Sequence, residues 1–319
     1  MRDGWEAEKE PISTKVASLL GQTYSLEVDM NAIYPYAGDG YAKDRPGDMT
    51  KNYFEGFLYQ LENYVQKYGD DGKATFNNTV TAKKITLEVD DTGKVSYCGC
   101  DIKDGRFRIL AGENYLATNI SDACYHMLKA VEEAEASAGG SGLSVGAKAN
   151  VKETVDKEFP TLEKQFAEIL GTKITLDANL EANYAKLRPE SGFNDAQLGT
   201  VTVAYLEGFA YQLNYLKFKG DEMMQEAFQE ACDKSVIRVE VVETLKHGSY
   251  NDVIFEDGIC KLQVSDSAEA ANRRPLPIIG IPMWVILGAK LSIVFEKGSS
   301  RRPVSSDLYY NSRTRYLVR

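Results

Sequence analysis

Few residues in this chain have the types and spacing that chemistry requires. Gly142-Leu143-Ser144-Val145-Gly146 satisfies the G-x-S-x-G pattern of a hydrolase nucleophile elbow. That chemistry needs a buried strand feeding the serine into a sharp turn before a helix. The residues upstream are instead small and polar, so a hydrolase is not expected. Cys98-Gly99-Cys100 places two thiols at i and i+2, on one face of a strand. Such a pair could bind a soft metal or shuttle between thiol and disulfide. Zinc would want two more ligands at the usual spacing, and the remaining cysteines, Cys124, Cys232 and Cys260, do not provide them. Core or edge thiols are the expectation.

Histidine, the usual general acid or base, occurs only at His126 and His247. Carboxylates could replace it, and Glu55/Glu207 and Glu88/Glu240 recur at matching places in the two halves of the chain. Their phase against neighbouring apolar residues puts them in solvent. Asp39, Asp44 and Asp48 follow an AGDG loop but lack the spacing of an EF-hand. Asp48 or Thr50 is expected to cap the helix that follows. No phosphate-binding or dinucleotide fingerprint is present, and no cofactor or metal is expected.

The residues best suited to contact a partner lie near the C-terminus. They are Trp284, Arg301, Arg302, Tyr309, Tyr310, Arg313, Arg315 and Tyr316. Residues 299–319 hold five arginines against one acid, in a chain whose net charge is −10. A tail opposite in sign to its body is drawn to an acidic surface, on this chain or on a neighbour. The acidic balance also argues against nucleic acid as a partner. Residues 276–295 read LPIIGIPMWVILGAKLSIVF, apolar enough to raise a membrane span. Pro277, Pro282 and Lys290 favour burial in the protein's own core or against another subunit.

The elements that would position these groups come in two sets. Residues 53–61 (YFEGFLYQL) return at 205–213 as YLEGFAYQL. Around the phrase, Leu20-Gly21 matches Leu170-Gly171, Leu26 matches Leu176, Tyr34 matches Tyr184, and KITLEV (84–89) matches VIRVEV (236–241). Offsets of 150 to 153 kept over about a hundred positions point to duplication with small loop insertions. Each copy predicts a short amphipathic helix (12–20; 161–170), a strand (24–28; 174–178) and a helix carrying the phrase. Strands near 83–90, 94–100 and 106–110 follow, matched near 235–243, 250–255 and 259–264, and the first copy closes with a helix over 120–135. Tyr53, Phe57 and Leu61, like Tyr205, Phe209 and Leu213, line one helical face and should pack on the sheet. The helix glycines Gly56 and Gly208 suggest close approach of that helix to the sheet.

The expected fold is α+β: two tandem homologous modules, each an antiparallel sheet with a long helix across one face, plus a C-terminal extension. The expected boundaries are 1–135 for the first repeat, 136–157 for a flexible Gly/Ala/Ser-rich linker, 158–270 for the second repeat and 271–319 for the arm. One helix on an antiparallel sheet is similar in outline to cystatin-like folds, a likeness of architecture that implies no function. The chain has a globular composition, 43% hydrophobic and 26% charged. The N-terminus shows no signal peptide, and the compartment is left open.

The functional expectation is a non-catalytic structural or assembly protein whose C-terminal arm docks on its own core or on a partner subunit. Self-association or a protein partner fits the tail. The alternatives are a binding protein for an apolar small molecule, or an enzyme using carboxylates or Cys98 and Cys100 in one repeat.

Overall fold

Alternation in the strand segments and an apolar stripe on the helices settle most of the architecture. The computed structural model of the chain describes residues 2–90, 92–139, 142–187, 197–247 and 251–265. The first half runs α1 (Arg2–Leu20), β1 (Ser25–Val28), α2 (Met30–Ile33), α3 (Tyr41–Asp44) and α4 (Pro46–Thr79). It continues with β2 (Lys84–Asp90), β3 (Cys98–Lys103), β4 (Arg106–Gly112) and α5 (Met127–Ser137). After α6 (Val145–Glu153) the second half runs α7 (Val155–Leu170), β5 (Thr175–Asp177), α8 (Leu180–Leu187), α9 (Leu198–Tyr215) and α10 (Glu222–Ala231). It ends with β6 (Val236–Val242), β7 (Asn251–Glu256) and β8 (Ile259–Ser265).

The protein is a mixed α+β structure with two four-stranded sheets, ordered β1-β2-β4-β3 and β5-β6-β8-β7. Both sheets are mixed, which corrects the expected antiparallel arrangement. In the first, β1 lies parallel to β2 and β2 parallel to β4, and only β3 and β4 are antiparallel. The second repeats these senses. The reason is in the connections. Helices α2 to α4 form a crossover between β1 and β2, which parallel pairing requires. The β3–β4 hairpin then folds back so that β4, not β3, lies beside β2. Its turn, Asp104-Gly105, has φ of 51° and 69°, and Asp257-Gly258 has 53° and 72°. Two consecutive positive φ values define the tight hairpin turn that Asp-Gly favours.

The repeated phrase packs as its spacing predicts. Tyr53, Phe57, Leu61, Phe209 and Leu213 are all but inaccessible and Tyr205 is buried. The Phe57 and Phe76 rings of α4 lie 5.1 and 5.6 Å from that of Phe107 on β4. In the second half Phe166 of α7 meets Phe209 of α9 at 5.8 Å. Burying each such side chain contributes about 2 kcal/mol. Gly56, however, faces the 3₁₀ turn Ile120–Asp122 and not the sheet: a Cβ there would sit 3.3 Å from the Ile120 carbonyl oxygen. α4 also starts earlier than expected, with Pro46 in its first turn, where a missing N–H costs nothing. Asp48 therefore lies inside that turn and pairs with Arg45 at 2.5 Å, while the Thr50 hydroxyl donates to the Pro46 carbonyl.

Part of the stretch expected to be a pliable linker is helical. Ser144 caps α6, its Oγ accepting from the Ala147 N–H at 3.2 Å, and Glu132 of α5 accepts from the Gly146 N–H at 2.9 Å. Val145 joins the core of the first half, and Ala147 packs with Tyr184, Leu187, Leu198 and Val241 of the second. Asn150 then caps α9 from outside, its Oδ1 accepting from the N–H groups of Gly199 and Thr200 at 2.7 and 3.0 Å. Glycine and alanine permit this close approach. A Cβ on Gly199 would lie 3.0 Å from the Val151 Cα.

Candidate functional site: the cleft beside β2

The groups singled out for chemistry find structural partners. Ser144 is buried with its Oγ engaged at the start of α6, so it is not an exposed nucleophile. Cys98 and Cys100 do share a face of β3, and it is the core face, where both pack against the first hydrophobic cluster. The Cys98 thiol donates to the Asn119 carbonyl at 3.2 Å. Burial, aided by the Asp122 carboxylate, pushes its pKa up to about 11. Burial also pushes Cys124 well up, with Cys100 hydrogen-bonded beside it. Thiols held in the protonated form are poor nucleophiles and poor ligands. In the second sheet the corresponding residues are Asn251 and Val253, which pair with Val264 and Leu262 as Cys98 and Cys100 pair with Ala111 and Ile109.

His126 and His247 are exposed. Asp39 pairs with Lys43, and Glu55 is exposed beside Lys51. Glu88 departs from the expectation of a free solvated acid. It accepts from the Thr86 hydroxyl at 2.7 Å and pairs with Arg108 at 3.2 Å and Arg106 at 3.6 Å. Arg108 also holds Asp101 through two bonds of 2.8 and 2.7 Å, and Lys94 reaches the same carboxylate at 2.8 Å. Desolvation works against ionised Asp101, but Arg108 and Lys94 outweigh it and hold its pKa below the ordinary carboxylate value. This ladder occupies the sheet face opposite α4. The second sheet has a sparser one: Arg238–Asp177 at 2.7 Å, Lys261–Glu256 at 2.5 Å and Gln263–Glu240 at 3.1 Å.

The two halves differ most beside the central parallel strand. β1 ends at Val28, opposite Leu87, whereas β2 stays paired with β4 out to Asp90. β5 ends at Asp177, opposite Arg238, and β6 runs on to Val242. Among the described residues, each sheet thus has a length of central strand with no strand on one side. Backbone groups alternate along a strand. Because the Ser25 N–H donates to Lys83 and the Thr175 N–H to Ser235, Leu87 and Val89 face the vacant side in one sheet, Val239 and Val241 in the other.

In the second sheet that edge is filled from within. Asn183 of α8 is buried, and its Nδ2 donates to the Ala178 and Val239 carbonyls while its Oδ1 accepts from the Val241 N–H, all at 2.9 Å. One carboxamide supplies the donor and acceptor that a neighbouring strand would have offered. Lys186 Nζ donates to the Val241 carbonyl at 2.6 Å. In the first sheet the place of Asn183 is taken by Ile33, which has no polar atom to offer. There α2 and the turn after it leave a cleft of about 440 Å³. Its walls include Glu27, Asp29, Tyr36, Thr86, Glu88 and Arg106. Lys84 hydrogen-bonds Glu27 and lowers its pKa, and Asp29 caps α2 through the Asn31 N–H at 2.9 Å.

The sequence reading passes over Asn183 and Lys186. A signal was present, since Tyr34 and Tyr184 match and the residues before them are Ile33 and Asn183, apolar against polar. Even the matched tyrosines part company, Tyr34 being exposed and Tyr184 buried.

The expected contact residues Trp284, Arg301, Arg302, Tyr309, Tyr310, Arg313, Arg315 and Tyr316, and the apolar stretch 276–295, lie outside the described residues. Among the described residues no helix is long and apolar enough to cross a membrane, and no group of three or more His, Cys, Asp or Glu could hold a metal. An apolar pocket between α8, α9, β6 and β8 has space of about 20 Å³, room for about one water. Compared with protein-family models, with curated proteins and with solved structures, the chain matches none.

Proposed function

We propose that the chain is a non-catalytic assembly protein built by duplication of one α+β module, whose C-terminal arm docks on its own core or on a partner subunit. The modules are residues 1–135 and 158–270, the connection 136–157 and the arm 271–319. The observation that carries the duplication is the common strand order, sense and register of the two sheets. Leu26 opposite Ile85 has its counterpart in Leu176 opposite Ile237, and Ile85 opposite Phe107 in Ile237 opposite Cys260. Duplicated scaffolds leave one copy free to diverge, and here the divergence is at a strand edge that is filled in the second half and open in the first.

Three features favour assembly over the alternatives. The open edge in a polar cleft suits a polypeptide, which can supply backbone groups in register. The raised pKa of Cys98 does not suit cysteine chemistry, and the apolar pocket between α8, α9, β6 and β8 is too small for an organic ligand. The arginine-rich tail is opposite in sign to the rest of the chain, as self-association of an acidic protein favours. Measuring the mass of the full chain in solution across salt concentrations tests this reading. A species larger than one chain at low salt, weakening as salt rises, is expected. A monomer at every concentration and salt would overturn the assembly.

A further inference from the structure

We propose that the cleft beside β2 receives the chain's own arginine- and tyrosine-rich C-terminal segment, residues 299–319, which adds to the open edge at Leu87–Asp90. This rests on the reading that the arm docks, and names where it docks.

The second sheet shows what chemistry closes such an edge. There an amide bonds the Val239 carbonyl and the Val241 N–H, and an ammonium group bonds the next carbonyl outward. The first sheet presents the corresponding carbonyl of Leu87 and N–H and carbonyl of Val89 to the cleft side, where Ile33 makes no such bonds. An occupant must therefore bring a backbone or side-chain amide and a cationic group. A peptide strand carrying arginine has both. The cleft volume of about 440 Å³ accommodates a few residues of such a strand.

Within this chain, residues 299–319 are the segment with that composition: five arginines, Asn311 and three tyrosines against the single acid Asp307. The wall of the cleft carries Glu27, Asp29 and Glu88. Lys84 already pairs with Glu27, and Arg106 and Arg108 with Glu88, so local charge orients the segment more than it attracts it. Attraction comes from the excess of acid over base in the rest of the chain. Reach is not limiting. The residues between Ser265 and Ser299 span up to roughly 100 Å when extended.

Hydrogen exchange on the full chain tests the proposal, comparing the natural sequence with R313E/R315E. Both changes lie outside the described residues. The Val89 amide, whose N–H faces the open side, should exchange at least tenfold faster in the variant, while Val241, closed by Asn183, should not change. A benzophenone amino acid in place of Tyr310, photolysed in a mixture of isotopically light and heavy chains, should cross-link to residues 27–36 or 86–90. Cross-links within single chains would support the cleft and count against assembly. Cross-links between light and heavy chains would support both. Unchanged exchange at Val89 with cross-links elsewhere would overturn the cleft as the docking site, even where the solution mass shows an oligomer.

Discussion

Replacing Asn183 by alanine should be among the most damaging single changes in the second half, although the group it removes is polar. The side chain is 2% exposed and makes three hydrogen bonds to backbone groups, all at 2.9 Å. Truncation leaves two carbonyl oxygens and one N–H buried without those partners. A buried polar group without a partner costs about 1–3 kcal/mol. The adjacent pocket has room for about one water, and a water entering the space vacated would satisfy some of them. The net expectation is a loss of about 3 kcal/mol, or a melting temperature lower by about 6–12 °C. Urea unfolding with Asn214→Ala, an exposed position on α9, as control measures it, and the control should lie within about 0.5 kcal/mol of the parent. Asn183→Asp adds a sign test. A carboxylate facing two carbonyls in a buried site has its pKa raised above about 3.9, so its penalty is absent at low pH and grows as pH rises through the folded value. The Asp variant should therefore approach the parent near pH 4 and fall away toward pH 7. A loss below about 1 kcal/mol for Asn183→Ala, or no pH dependence for Asn183→Asp, would refute the account of how this edge is closed.

Gly199→Ala should destabilise by about 1–3 kcal/mol despite the better helix propensity of alanine, because its Cβ would press on Thr154 and Val151 where α6 meets α9; thermal melting reads this out. Arg108→Ala should cost about 2–4 kcal/mol at pH 7 by leaving the nearly inaccessible Asp101 with Lys94 as its one remaining cation among the described residues. Since the folded pKa of Asp101 is lowered, the stability it contributes is present above the unfolded value of about 3.9 and is lost as pH falls through the folded one. The gap between variant and parent should accordingly narrow by pH 3 in urea titrations. With its pKa near 11, Cys98 should react with iodoacetamide at pH 7.5 roughly 100-fold or more slower than a free thiol of pKa about 8.5. The rate should climb about tenfold per pH unit until pH 10 or so, and a rate matching free cysteine at pH 8 would refute the burial argument. Loss of protection at the Val89 amide in R313E/R315E completes the set.

Much of the fold was legible in the chain, because local pattern carries it. Alternation at 236–242 fixes a strand whose buried residues are Ile237, Val239 and Val241, and the i, i+4, i+8 spacing of Tyr53, Phe57 and Leu61 fixes a buried helical stripe. The two Asp-Gly turns follow from residue type alone, since few residues adopt positive φ in succession. Strand partners are another matter. That β4 inserts between β2 and β3 depends on where the hairpin lands, which no local preference dictates. The helix at 145–153 was hidden because a Gly- and Ala-rich stretch reads as pliable, whereas small side chains also let helices approach, as they do at Gly199. Nor could the candidate cleft be read from composition. It exists because β1 stops three residues short of the end of β2, and because Ile33 sits where Asn183 sits in the other half. The chain by itself determined the elements and their recurrence; only the tertiary structure decided which polar groups on a strand edge are closed by a side chain and which stay open, since hydrogen-bond satisfaction joins residues more than fifty positions apart.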